Sequence, residues 1–245
     1  MPWELDENGF YRQPTQQELK ARAAATKRRL GSATQQFSPV TMPEGGRARI
    51  ASTWWSDAWC ANLASYADLQ NRVARGRKYL RADAVVDLEI TAGCITALVQ
   101  GSVPEPYRVQ VDIQTLDESR RSDIQRYCAE RMTSLETLMA GALPRELADL
   151  FTDSQAGLFP AELELNPCCS CPDVAWVCKH IFAVLYGVGS RLDDNPLLLF
   201  QLRGIDVTEL ISRSVDARVS SLLERASEVD REDIDDSDLN DTFGL

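Results

Sequence analysis

The chain has a single histidine among its 245 residues. That scarcity removes imidazole acid–base chemistry from every position except His180. No apolar run reaches eighteen residues, so no membrane-spanning helix is expected. Met1-Pro2-Trp3-Glu4-Leu5-Asp6-Glu7 has neither the basic start nor the apolar stretch of a signal peptide. A cytoplasmic location is therefore the expectation. The chain also shows no glycine-rich phosphate loop, no zincin helix and no internal repeat.

Cysteine is the residue type that is unevenly present. Four of the seven cysteines, Cys168, Cys169, Cys171 and Cys178, crowd into eleven residues, and the lone His180 follows two positions after the last of them. Cytosolic thiols are kept reduced, so such a cluster reads as metal ligands rather than disulfides. Cys-x-Cys, six residues, then Cys-x-His supplies three thiolates and one imidazole, the donors of a closed tetrahedral zinc site. Pro172 helps stop the first pair from continuing as helix, and the intervening loop gives the chain room to return. Two readings stand beside each other here: a zinc staple with Cys169, Cys171, Cys178 and His180 as ligands, or a cysteine-rich loop whose His180 caps or packs a buried helix. The position of the only histidine favours zinc. Asp173 is either an acceptor behind the ligands or a solvated turn residue, and Cys168 is a spare thiol. Cys60, Cys94 and Cys128 lie apart in apolar surroundings and read as small core residues.

Charge is also segregated. The net charge is −11, yet nine acidic residues against two arginines fall between Glu224 and Leu245. From Arg12 to Arg49 the balance reverses, with eight lysines or arginines against Glu18 and Glu44. The two ends offer differently charged surfaces.

Patterning divides the chain into four parts. Residues 1–49 form a basic extension, with a capping box at Thr15-Gln16-Gln17-Glu18 opening an exposed helix to about Leu30, then a Pro- and Gly-rich linker. Residues 50–160 form the core. Trp54, Trp55 and Trp59 open a helix, with Trp55, Trp59 and Leu63 on one face; they are either a stacking platform for bases or, as the helical spacing favours, a core anchor. Three alternating strands follow, around Val86, Leu88 and Ile90, then Ile95, Ala97 and Val99, then Val109, Val111 and Ile113, with a hairpin at Thr91-Ala92-Gly93. Helices are expected near 121–140, carrying Ile124, Tyr127, Cys128, Leu135, Leu138 and Met139, and near 144–151. Residues 161–226 hold the cysteine loop, a helix at 181–188 that is apolar nearly all round, a short helix after Pro196 and a last helix capped near Asp206. Residues 227–245 read as a disordered acidic tail. Strands followed by helices make the fold class α+β, an antiparallel β-meander packed with helices plus a zinc-stapled loop leading into a buried helix.

The motif resembles the SWIM-type zinc finger, whose pattern is Cys-x-Cys, a variable gap, then Cys-x-His; Cys169, Cys171, Cys178 and His180 match it position for position. Thr53 to Trp59, Ala74 to Tyr79, Ala97 to Ser102 and Ala183 to Gly189 are similar to segments of bacterial SWIM zinc finger family proteins, so the resemblance runs from about residue 50 to 210. It implies zinc binding, DNA or protein interaction by the finger, and association with Swi/Snf-type helicases. It brings no catalytic activity. Four protein ligands would also leave no open position for water or substrate, so the expectation is a non-enzymatic protein.

Two binding modes follow. Arg72, Arg75, Arg77, Lys78 and Arg81 place five cations in ten residues, enough to meet several DNA or RNA phosphates, with Gly76 allowing close backbone approach; the alternative is a solvated loop pairing with Asp83, Asp87 or the acidic tail. Leu239, Phe243 and Leu245 inside that tail form either a segment that orders on a protein partner or a frayed end. An adaptor beside a helicase is the leading reading, direct nucleic-acid binding the alternative. No membrane and no small-molecule substrate is expected.

Overall fold

A computed structural model describes residues 13–31, 37–42, 50–66, 70–131, 143, 145–153 and 157–229. It is mixed helix and antiparallel sheet, as the patterning predicts. The helices are α1 (Gln16–Gly31), α2 (Trp54–Ser65), α3 (Gln70–Arg81), α4 (Glu118–Arg131), α5 (Ala148–Thr152), α6 (Lys179–Asp194), α7 (Leu197–Leu202) and α8 (Val207–Val229). The strands are β1 (Val85–Thr91), β2 (Cys94–Val99), β3 (Tyr107–Ile113) and β4 (Leu165–Cys169), in spatial order β1-β2-β3-β4, with every neighbouring pair antiparallel.

The expected three-stranded meander is present. Ala92-Gly93 makes the tight β1–β2 turn, and Gly93 takes a φ of 73° that a side chain would resist. Ile95, Ala97, Val99, Val109, Val111 and Ile113 are buried on one face, while Glu89, Thr96, Arg108 and Gln110 face water on the other. A register shift between Val85 and Asp87 interrupts the alternation, so Val86 is buried at an irregularity instead of starting the row. The sheet has a fourth strand that the patterning does not reveal. Leu165–Cys169 holds only five residues and includes Pro167, which is tolerated because β4 lies at the edge of the sheet.

Helix α6 is the centre of the packing. Ile181 to Gly189 are all buried, as expected of a helix apolar on every side. Helix α2 lies against it and settles the role of the three indoles. Trp59 Nε1 donates to Leu185 O at 2.9 Å, Trp55 Nε1 to Leu192 O at 2.7 Å and Trp54 Nε1 to Leu143 O at 3.2 Å. They are core anchors whose one polar atom is satisfied, not a stacking surface. On its other side α6 crosses α3 at Gly76, where an added Cβ would stand 2.5 Å from Phe182 Cβ and 3.1 Å from Ala183 N. The glycine serves helix packing; the expected role in approaching phosphates is corrected.

Helix α1 is also more integrated than its sequence suggests. Its capping box forms, with Thr15 N donating to Glu18 Oε2 at 2.8 Å and Glu18 N to Thr15 Oγ1 at 3.2 Å. Yet Leu19, Ala23 and Thr26 are buried, and Thr26 Oγ1 donates to Gln100 Oε1 at 2.6 Å inside the protein. Full burial of a leucine stabilises by about 2 kcal/mol, so one well-placed Leu19 offsets the shortage of apolar residues. Helix α4 starts three residues earlier than expected, at Glu118, and Leu135, Leu138 and Met139 lie outside the described residues. Asp206 caps α8 as predicted, accepting from Thr208 N at 2.7 Å and Glu209 N at 3.3 Å.

Candidate metal centre

Four side chains from three consecutive pieces of chain converge. Cys169 ends β4, Cys171 sits in the turn that follows, Cys178 is the N-cap of α6, and His180 stands in its first turn. Their ligand atoms all lie within 4.8 Å of one another, and His180 Nδ1 is 3.8 Å from both Cys169 Sγ and Cys178 Sγ. A tetrahedral ion with bonds of about 2.0–2.3 Å holds its ligands about 3.5–3.8 Å apart. The donors therefore fit a metal ion with little adjustment.

Strand alternation decides which thiols take part. Cys169 is registered opposite buried Val109 and Cys168 opposite exposed Gln110. Neighbouring cysteines thus face opposite sides of β4, and the exposed Cys168 is excluded from the cluster by its parity. The other three cysteines are outside the site as expected. Burial pushes the Cys60 and Cys128 thiols up to about 12, which makes them inert. Cys94 departs from the reading as a core residue: it is half-exposed at the start of β2, opposite Asp112.

The electrostatics suit a cation. Hydrogen bonds from the Cys169 and Cys178 thiols hold Cys171 well below the ordinary thiol range, and the same contacts with Cys171 and Cys178 push Cys169 up. Cys178 is drawn down by Cys169 but raised overall by Cys171 and burial. Three crowded sulfurs oppose one another's ionisation, and a central cation favours the ionised form of all three. Main-chain amides also support thiolates: those of Cys171, Asp173 and Ile181 donate to the sulfurs of Cys169, Cys171 and Cys178. Burial lowers the pKa of His180 and keeps its imidazole neutral, the form that binds metal.

Aromatic rings fix the imidazole. Tyr107 lies against it at a centroid distance of 4.6 Å and Tyr79 meets it edge-on at 5.0 Å. Gly101 makes this possible, because a Cβ there would come within 2.3 Å of the Tyr107 ring. Nε2 is buried with no hydrogen-bond partner, so ring contacts take the orienting role that a carboxylate or carbonyl often has behind a metal-binding histidine.

The loop between the two ligand pairs is tied to α3. Asp173 Oδ2 pairs with Arg72 Nη1 at 2.5 Å, and Asp173 Oδ1 accepts from Ala175 N at 3.2 Å. Asp173 is therefore a tether, neither of the two roles its sequence suggests. This also bears on the basic cluster, which lies on a helix and not on a solvated loop. Arg72 is committed to Asp173. Arg77 donates to Tyr186 Oη at 3.2 Å and stands 5.0 Å over that ring, and Lys78 donates to Pro14 O at 2.7 Å. The Arg81 carbonyl accepts from Gln16. Arg75 is exposed. Asp83 and Asp87 pair outside this cluster, with Lys20 and the Ser38 amide. Leu239, Phe243 and Leu245 lie outside the described residues.

The uncharacterized protein Rv2102 of Mycobacterium tuberculosis (strain H37Rv) is 36% identical to this chain over 192 residues, which cover 74% of the chain and 69% of that protein. The chain belongs to its family. No protein-family model matches the chain, and no solved structure matches it. No helix among the described residues is long and apolar enough to cross a membrane.

Proposed function

We propose that the chain is a zinc-stabilised, non-enzymatic interaction protein of the cytoplasm, working as an adaptor in a nucleic-acid-related assembly. The convergence of three sulfurs and one imidazole nitrogen within 4.8 Å carries this reading. Soft thiolates with one imidazole suit zinc, and four protein donors complete a tetrahedral shell, as in a structural site. The one histidine is engaged there, which supports a role other than catalysis. Association with a Swi/Snf-type helicase is supported by the resemblance to SWIM-type fingers. A second reading, direct DNA or RNA binding, is favoured by exposed Arg75 on the basic helix beside the centre.

Elemental analysis of purified protein tests the centre. One zinc per chain is expected, retained by Cys168→Ser and lost in Cys171→Ser and Cys178→Ser; a zinc-free wild type overturns the reading. Affinity purification with and without nuclease tests the adaptor, for which a protein partner must survive nuclease.

A further inference from the structure

We infer that the loop closed by the metal centre, residues 172–177, is a binding platform for single-stranded nucleic acid, with the Trp176 indole stacked on a base and Arg75 and Lys179 meeting the adjoining phosphates. This rests on the interaction-protein reading and names the partner of its site.

Exposure points to the loop. Val174 is 100% exposed and Trp176 39% exposed, whereas Trp55 and Trp59 are buried and bonded to α6. Trp176 is the most exposed indole among the described residues. An exposed indole offers a face on which a base can stack. The loop that carries the ring is anchored at several points. Cys171 and Cys178 bracket it, and Asp173 clamps it to Arg72 and to its own backbone at Ala175. A ring displayed on a rigid loop binds with little loss of conformational freedom.

Charge selects the partner. Over residues 70–81 and 171–180, six cations (Arg72, Arg75, Arg77, Lys78, Arg81 and Lys179) face one carboxylate, Asp173, which is already paired. Three thiolates on a divalent ion add only one further negative charge. Two cations border the loop itself. Lys179 directly follows the ligand Cys178 and holds its Nζ 5.9 Å from the Tyr79 ring. Arg75 is three residues after Arg72 and four before Tyr79 on α3, so it shares a helix face with both residues that meet the loop and its helix. The net charge of −11 does not oppose this, because screening over about 8–10 Å leaves the local sign in control. An aromatic face between cations fits a strand whose bases are free to stack. A duplex hides those faces, and the loop offers no helix to a groove.

The test is fluorescence anisotropy with labelled 20-mers of thymidine and of uridine on the full chain at several salt concentrations. Dissociation constants of about 1–100 µM are expected at physiological salt, and tighter binding below it. Trp176→Ala should weaken binding about 5- to 100-fold, while Trp176→Phe keeps most of it, as stacking predicts. Arg75→Ala with Lys179→Ala should flatten the salt slope by about 1.4, about 0.7 for each lost phosphate contact on a single strand. Zinc is measured on every protein. Zinc-loaded wild type that binds neither 20-mer, or a Trp176→Ala affinity equal to wild type, overturns the platform and leaves the metal centre standing. Equal competition by poly-glutamate with no effect of Trp176→Ala also overturns it, in favour of an acidic protein partner. A wild type without zinc instead overturns the reading on which the platform rests.

Discussion

The two ends of β4 are fastened by different chemistry. At its end, Cys169 joins the metal centre. At its start, Glu164 accepts from Arg203 Nη2 at 2.9 and 3.1 Å and from Arg120 Nη1 at 3.3 Å. Arg203 is fully buried and also donates to Gln114 O at 2.6 Å. Both fastenings join a short edge strand to the core where its few apolar residues cannot. They differ in what they depend on: one needs an ion supplied from solution, the other needs only its own charges.

The sharpest way to break this comparison is to open the metal shell. Cys178→Ser, or a strong chelator on the wild type, should lose the metal and the cooperative thermal transition around β4 and α6, because the free energy of metal binding is part of the free energy of folding. Differential scanning calorimetry would register a broadened transition well below that of the loaded protein. An unchanged melting curve after complete zinc removal would reduce the centre to an ornament on a self-sufficient core.

Glu164→Gln should have the next largest effect. Removing one partner of a buried pair costs about 3–5 kcal/mol, and the lower end applies because the Glu164 side chain keeps 14% of its surface exposed. At about 2–4 °C per kcal/mol, a fall of roughly 6–12 °C in Tm is expected. Acid separates the fastenings. Burial alone would raise Glu164, but the Arg203 hydrogen bond and the Ala161 amide hold it below the ordinary carboxylate range. Its folded pKa is thus depressed, so its contribution is present above the unfolded value of about 4.3 and is lost only as pH falls through the lower folded one. Protons compete for thiolates and imidazole at higher pH than that. Titration followed by zinc release and by circular dichroism should show metal leaving first, and simultaneous loss would merge the two events into one.

Smaller effects sharpen the picture. Arg72→Ala should cost about 0.5–1 kcal/mol, since the pair with Asp173 is partly exposed at 22% and 26%. Chemical denaturation would measure that cost, with zinc content unchanged. Cys168→Ser should leave both zinc and stability as they were; loss of metal would show that strand parity does not select the ligands.

What the sequence made legible was whatever local periodicity controls. The alternation of Ile95, Ala97 and Val99, the Thr15 capping box, the apolar run of α6 and the ligand spacing each express geometry within a few residues, and the structure places them as read. What stayed hidden depends on distant partners. β4 pairs with a strand more than fifty residues earlier, and Pro167 weakens its pattern. Leu19 is buried because α3 and β1 receive α1, which nothing in α1 announces. Gly76 permits close approach, but the approaching chain is α6. Arg72 and Asp173 are about a hundred residues apart, so each alone reads as a surface charge. The aromatic clamp on His180 joins Tyr79 and Tyr107 from separate elements, and only the glycine beside Gln100 hints at a close neighbour.

Pro167 has a further consequence, for the behaviour of many copies together. Ser170 N donates to Arg108 O and Gln114 N to Glu164 O, so the even-numbered residues of this stretch bond inward to β3. Leu165, Pro167 and Cys169 turn their main chain outward. Pro167 has no amide hydrogen to offer, and the Leu165 amide is already given to Glu162 O. A second molecule laid along this rim would find one free donor in five residues, too few to extend the ladder. This edge of the described sheet is poorly suited to templating a strand from a neighbouring molecule at high concentration.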